Sequence, residues 1–197
     1  MLLFEGFELL DVFGPLEMFS LLEGRPRLLM FAETPGAIAS SAGPQCVAGS
    51  RLSDIDELDV LLVPGGAGTR REVGNGALSD ALRRANGKTR FTASVCTGAA
   101  LLARAGLLDG KRATTNKRAH EWVRSQGPAV NWVAEARWVA DGKFFTSGGV
   151  SAGIDMSLAL IARLRGRDTA NAVAQRAEYE WHHDPSRDPF AKMNRIA

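Results

Sequence analysis

Cysteine is scarce in this chain: Cys46 and Cys96 are the only two among 197 residues. Two thiols make no disulfide framework, so a reducing compartment and a cytoplasmic location are predicted. Histidine is also sparse, with three residues, and the cysteines and histidines do not fall at metal-ligand spacing, so no metal and no cofactor is expected. No apolar run approaches the roughly 20 residues of a membrane helix. The start has no basic stretch ahead of a cleavable apolar segment, because Glu5 and Glu8 interrupt it. Neither sign of charge dominates: Lys plus Arg number 24 against 22 Asp plus Glu, which gives no reason to expect a nucleic acid or a membrane surface as partner. Repeats, low-complexity tracts and linkers are missing too. What is present is 45% hydrophobic content over one domain, residues 1–197.

Strands and helices alternate along the chain. A strand is expected over Leu2 to Phe7, and its abruptness predicts residues upstream of Met1. Pro15 suits the first turn of a helix with Leu16, Phe19 and Leu22 on one face. Arg27 to Glu33 reads as a strand, and Ala37 to Arg51 as a hairpin or irregular edge. Leu58 to Pro64 is the clearest buried strand, followed by Gly65-Gly66-Ala67-Gly68 and a polar helix around Ala77 to Ala85. Further on, Arg112 to Thr115 is a short strand and Arg118 to Gln126 a helix. Val130 to Val133, Trp138-Val139 and Phe144 to Ser147 are strands, with Asp141-Gly142 turning a hairpin. Gly153 to Leu164 and Asp168 to about Trp181 are helices, and the tail from His182 to Ala197 is expected to be extended. The pattern predicts an α/β, flavodoxin-like three-layer sandwich, with helices on both faces of a mostly parallel central sheet. Phe19, Trp122, Trp132, Trp138 and Trp181 are assigned to core or interface.

The chain is organised around Arg90 to Gly106. Phe91 to Val95 reads as a buried strand, Thr97 to Ala105 as an Ala- and Leu-rich helix, and Cys96 stands at the joint. A sharp strand-to-helix turn presents its side chain at the open sheet edge, against the positive end of the helix dipole. The Cys96 thiol is therefore expected to ionise more readily than a free cysteine. The alternative is a buried core cysteine without chemistry.

Three further features lie where a Cys96 site needs them. The amides of Gly65, Gly66 and Ala67 can point at a developing oxyanion, or the stretch is only a tight turn. Asp11 lies just beyond the first strand. Beside a thiolate it must be protonated and can donate a proton; otherwise it simply caps the following helix. Thr97 offers a hydroxyl next to the nucleophile, or only a local backbone contact. The glycines after Pro64 do not fit a dinucleotide fingerprint, since Thr69-Arg70-Arg71 stands where the third glycine belongs. His182-His183-Asp184 is read as a solvated helix end rather than a ligand cluster.

Leu10-Asp-Val-Phe-Gly-Pro15, Val63-Pro-Gly-Gly66, Ser94-Val-Cys-Thr-Gly98, Ala105-Gly-Leu-Leu-Asp-Gly110, Arg112-Ala-Thr-Thr115 and Ser147-Gly-Gly-Val-Ser-Ala-Gly-Ile-Asp155 together resemble the ThiJ/PfpI superfamily, of the class I glutamine amidotransferase-like fold. Asp-x-x-Gly-Pro and Val-Cys-Thr-Gly are most similar to the isocyanide (isonitrile) hydratases. The resemblance implies Cys96 as nucleophile, Asp11 as its carboxyl partner, Thr97 as an auxiliary group, and a homodimer with active sites near its interface. PfpI-type proteases carry His directly after the cysteine, where this chain has Thr97. Other members carry His after the Thr-Thr pair, where it has Asn116; His120 is a helical turn further on. Glutamine amidotransferases need a downstream His-x-Glu that is missing here. Peptide hydrolysis and amide transfer lose their support. The chain also stops short of the helix-turn-helix fused to this domain in related regulators, so DNA binding is not expected.

The function expected is hydration of a small isocyanide to an N-substituted formamide through a thioimidate on Cys96, without a cofactor. Two alternatives use the same residues: glyoxalase or deglycase action on methylglyoxal or its adducts, and a non-enzymatic sensor in which Cys96 is oxidised. The roles of Cys46, Asn116, His120, His182 and His183 stay open.

Overall fold

The computed structural model describes residues 1–194. In chain order the helices are α1 (Leu9–Ser20), α2 (Thr69–Glu72), α3 (Gly76–Gly87), α4 (Gly98–Arg104), α5 (His120–Gln126), α6 (Ala152–Arg165), α7 (Arg167–Arg176) and α8 (Pro189–Met193). The strands are β1 (Phe31–Ala32), β2 (Gly36–Ala39), β3 (Gln45–Ala48), β4 (Ser50–Arg51), β5 (Leu58–Val63), β6 (Thr89–Ser94), β7 (Arg112–Ala113), β8 (Asn131–Trp132), β9 (Trp138–Asp141) and β10 (Phe144–Ser147).

The central sheet runs β5-β6-β10-β9, with β5, β6 and β10 parallel and β9 antiparallel at the edge. Its inner positions carry small or apolar residues: Leu61, Leu62, Val63 and Ala93 are buried, as parallel strands covered on both faces require. Next to β5, Leu2 donates its amide to the Leu62 carbonyl at 2.9 Å and bridges in parallel to Phe31, which joins the β1-β4 pair to the sheet. Helices α1, α6 and α7 pack together, while α3, α4 and α5 form the other group, so the sheet is covered on both faces. The expected α/β sandwich with a mostly parallel sheet is the architecture found.

Several local expectations are corrected. The first strand shrinks to bridges at Leu2 and Phe7, because Glu8 turns the chain into α1 at once. That helix begins at Leu9, so Pro15 lies inside it rather than in its first turn. Proline has no N–H to give the carbonyl four residues back, which here belongs to Asp11. The strand expected over Arg27 to Glu33 is only Phe31–Ala32. Helix α7 ends at Arg176, well before Trp181, and the tail contains α8, whose Asp188 N-cap accepts the Phe190 amide at 3.1 Å. His182 and His183 are exposed and belong to no helix. The part of the expected extended tail from 195 to 197 lies outside the described residues.

Candidate active site

Two turns at the carboxyl ends of β5 and β6 build the site. Strand β6 ends at Ser94, Val95 donates to the Val63 carbonyl at 3.0 Å, and Cys96 then takes φ +98° before α4 opens at Gly98. A non-glycine residue in that region is strained, and it persists only where the surroundings over-determine it. They do here. The Cys96 carbonyl accepts the Asn116 amide at 3.2 Å and the Thr115 hydroxyl. Gly98 lets α4 approach β5 closely, since a Cβ there would stand 2.4 Å from the Val63 carbonyl oxygen.

The turn after β5 is stitched to the start of α1. Glu8 donates its amide to the Gly65 carbonyl at 2.9 Å, and Gly65 returns its own amide to Oδ2 of Asp11 at 2.8 Å. Asp11 is thus in the first turn of α1 and fully buried, not a cap. Its Oδ1 has no hydrogen-bond partner. Burial pushes this carboxyl up to about 7, against the Gly65 amide and the neighbouring Cys96 side chain, which both favour the ionised form.

Cys96 is 4% exposed. Burial, and then the Asp11 charge, push its thiol well above the usual cysteine range. Against this rise act the backbone N–H of Val150, the Asn116 side-chain amide at 3.4 Å from Sγ, and the Thr97 N–H. The expectation of a readily ionised thiol is therefore reversed: the short helix α4 does not compensate for loss of water around the sulfur.

The expected oxyanion donors are already occupied. Gly65 N–H goes to Asp11, Gly66 N–H to Oγ1 of Thr97 at 3.1 Å, and Ala67 N–H to Oγ of Ser41 at 3.2 Å. These amides hold side chains instead of facing open space. The Thr97 hydroxyl is likewise bound into the turn: it accepts from Thr69 Oγ1 at 3.0 Å and lies 3.3 Å from the Gly66 carbonyl oxygen. The turn cannot relax easily, because Gly66 has φ +128° and a Cβ there would stand 2.3 Å from the Gly6 carbonyl oxygen.

Two groups beside the sulfur escaped the sequence reading. In the sequence Asn116 marks only the place of a missing histidine. Its Oδ1 accepts the Ala119 amide at 3.1 Å, which aims Nδ2 at Cys96. Val150 acts through its backbone at φ +45°, a second strained non-glycine residue, and its side chain gives no signal of that. The remaining candidates are not joined to Cys96 by any hydrogen bond among the described residues. His120 is buried at the head of α5 with Nε2 unpartnered, and Cys46 is half-buried in the β2-β3 hairpin. His182 gives its amide to Asp155 at 3.0 Å, and the His183 ring packs tilted against Trp181, with centroids 4.2 Å apart and planes at 50°. Two cavities, of about 590 and 520 Å³, lie elsewhere: Leu16, Phe19, Leu62 and Arg90 line the first, Leu21, Asp168 and Arg176 the second. Among the described residues no helix is long and apolar enough to cross a membrane.

The sequence profile of the DJ-1/PfpI family matches residues 1–163. Isonitrile hydratase of Pseudomonas putida is 37% identical over 178 residues, covering 90% of this chain and 76% of that protein. The HTH-type transcriptional regulator GbdR of Pseudomonas aeruginosa is 31% identical over 186 residues, and this chain spans 50% of its length. A crystal structure of a ThiJ/PfpI family protein from Pseudomonas syringae superposes with a TM-score of 0.84 at 30% identity, covering 92% of this chain and 74% of that one.

Proposed function

The chain belongs to the DJ-1/PfpI family, and on that premise we propose that it hydrates a small isocyanide to an N-substituted formamide, with Cys96 as nucleophile and Asp11 as proton carrier. One observation carries the reading: a buried carboxyl, held near 7 and with one oxygen unpartnered, stands beside a buried thiol at a strained elbow. The likeness to isonitrile hydratase supports the same chemistry.

The proton balance follows from the two raised values. The sulfur lone pair forms a bond to the terminal isocyanide carbon while Asp11 takes the thiol proton, so no free thiolate accumulates. The same proton passes from Asp11 to that carbon, leaving a neutral thioimidate on Cys96. Water then adds to the thioimidate carbon, a proton moves to nitrogen, and the carbon–sulfur bond breaks to release the formamide and restore the thiol. Atoms balance as isocyanide plus water. The Asn116 amide and the Val150 and Thr97 N–H groups stabilise charge as it develops on sulfur. The nucleophile meets a carbon that is already electrophilic, so no histidine base is needed.

The proposed protein acts as a homodimer. Leu10 and Phe13 flank Asp11 on α1 and are 39% and 44% exposed, an apolar edge beside the catalytic carboxyl. The test is formamide release from an aryl isocyanide, with Cys96→Ala as control. Absence of turnover above that control rejects the reading, and lactate from methylglyoxal transfers it to the glyoxalases.

A further inference from the structure

The described chain after α7 is held as a strap by polar contacts to Asp155, Arg137 and Glu135. Tyr179 Oη and the His182 amide donate to Oδ1 of Asp155 at 3.1 and 3.0 Å, and the other oxygen of Asp155 takes Arg137 at 2.6 Å. Arg137 N–H goes to the Pro185 carbonyl at 2.8 Å, and Asp188 N–H to the Glu135 carbonyl at 2.8 Å. The strap ends with Asp188 buried, its Oδ2 4.0 Å from Nζ of Lys117; both side chains are 2% exposed.

Each member of that pair touches one of the two loops that supply the sulfur with donors. Lys117 directly follows Asn116, and its Nζ is fixed by Thr114 Oγ1 at 2.8 Å and the Ala136 carbonyl. Asp188 packs on Gly148, where a Cβ would stand 2.8 Å from its Oδ2. Gly149 packs on the Asn116 side chain, where a Cβ would stand 2.4 Å from Nδ2. Val150 comes next and turns its N–H to Cys96.

We propose that Asp188 is a positioning residue for the nucleophile: through Lys117 on one side and Gly148 on the other, it clamps the Asn116 and Val150 donors against the Cys96 sulfur. Two buried charges cost desolvation that an apolar pair avoids, so the pair is poor as mere cement and fits a role in fixing geometry. The cost is visible at Lys117, whose ammonium burial lowers to about 8 against the attraction of Asp188. The proposal rests on Cys96 being the nucleophile, but not on the isocyanide as substrate.

The test uses Asp188→Asn, which keeps an acceptor for the Phe190 amide, and Asp188→Ser as a second variant able to cap α8. The readout is the second-order rate of Cys96 alkylation by iodoacetamide at fixed neutral pH, with Cys96→Ala subtracted, so no substrate is involved. A clamp predicts a rate lower by about tenfold as the donors withdraw and the thiolate loses support. It also predicts kcat lower by about tenfold with KM little changed. Simple charge removal predicts the opposite sign, because one fewer carboxylate near the sulfur favours the thiolate. A faster alkylation overturns the proposal. So does an unchanged rate with a lower Tm, which reduces Asp188 to a structural contact. Loss of isocyanide turnover in the parent protein with the alkylation change intact overturns the substrate assignment alone.

Discussion

Gly65 gives its amide to Oδ2 of Asp11 at 2.8 Å, and the other oxygen of that carboxyl is left without a partner. The bond fixes the orientation of the Asp11 carboxyl. In the proposed mechanism the unpartnered oxygen is therefore the one that exchanges the proton with the thiol.

Asp11 makes stability depend on pH in a definite direction. Its folded value, about 7, lies above the ordinary 3.8, so the folded protein keeps a proton there that the unfolded chain has released. Stability from the neutral carboxyl is complete below the lower value and is lost as pH rises toward 7, by on the order of 4 kcal/mol at about 1.36 per unit. Asp11→Asn is expected to flatten that slope in urea titrations across the window. It is also expected to reduce turnover at least about 100-fold. A retained slope shows that another group titrates.

Gly65→Ala tests how close the two turns must be. The added Cβ stands 2.7 Å from Thr97 Oγ1 and 2.8 Å from Asp11 Oδ2. A fold loss of about 1–3 kcal/mol is expected from overpacking, measured by thermal unfolding. Turnover should drop more than tenfold as Asp11 is displaced.

Asn116→Ala removes the side-chain donor at 3.4 Å from the sulfur. A hydrogen bond to a charged group contributes about 1.5–3 kcal/mol, so kcat/KM should fall roughly 10- to 100-fold. Asn116→Asp places a carboxylate against the sulfur and should be worse. Steady-state kinetics of the two variants rank them; equal values remove Asn116 from the mechanism.

Asp155→Ala leaves Arg137 buried and uncompensated, and strips acceptors from Tyr179 and His182. A stability loss of about 3–5 kcal/mol is expected in denaturant unfolding.

The elbow was legible because an apolar run breaks at Cys96 and a small-residue helix starts at Gly98. The β5 strand and the β9-β10 hairpin at Asp141-Gly142 were legible for the same local reasons. The start of α1 was not, because Pro15 signals a first turn and the chain instead carries it inside, bonded by tertiary contacts at Glu8 and Gly65. Dipole reasoning assigned the wrong direction to the thiol, since burial is set by segments distant in sequence. Asn116 had a weak signal, its place directly after Thr114-Thr115. Val150 had none, because its contribution is a main-chain amide.

The peptide of Cys96 is gripped through its carbonyl by both Thr115 and Asn116. When a group is attached to sulfur, the main chain at this residue cannot swing aside to make room. The adduct must find its space by rotation about the side-chain bonds, Cα–Cβ and Cβ–Sγ. For the isocyanide reaction proposed above, turnover is therefore expected to fall as the group on the isocyanide nitrogen grows bulkier.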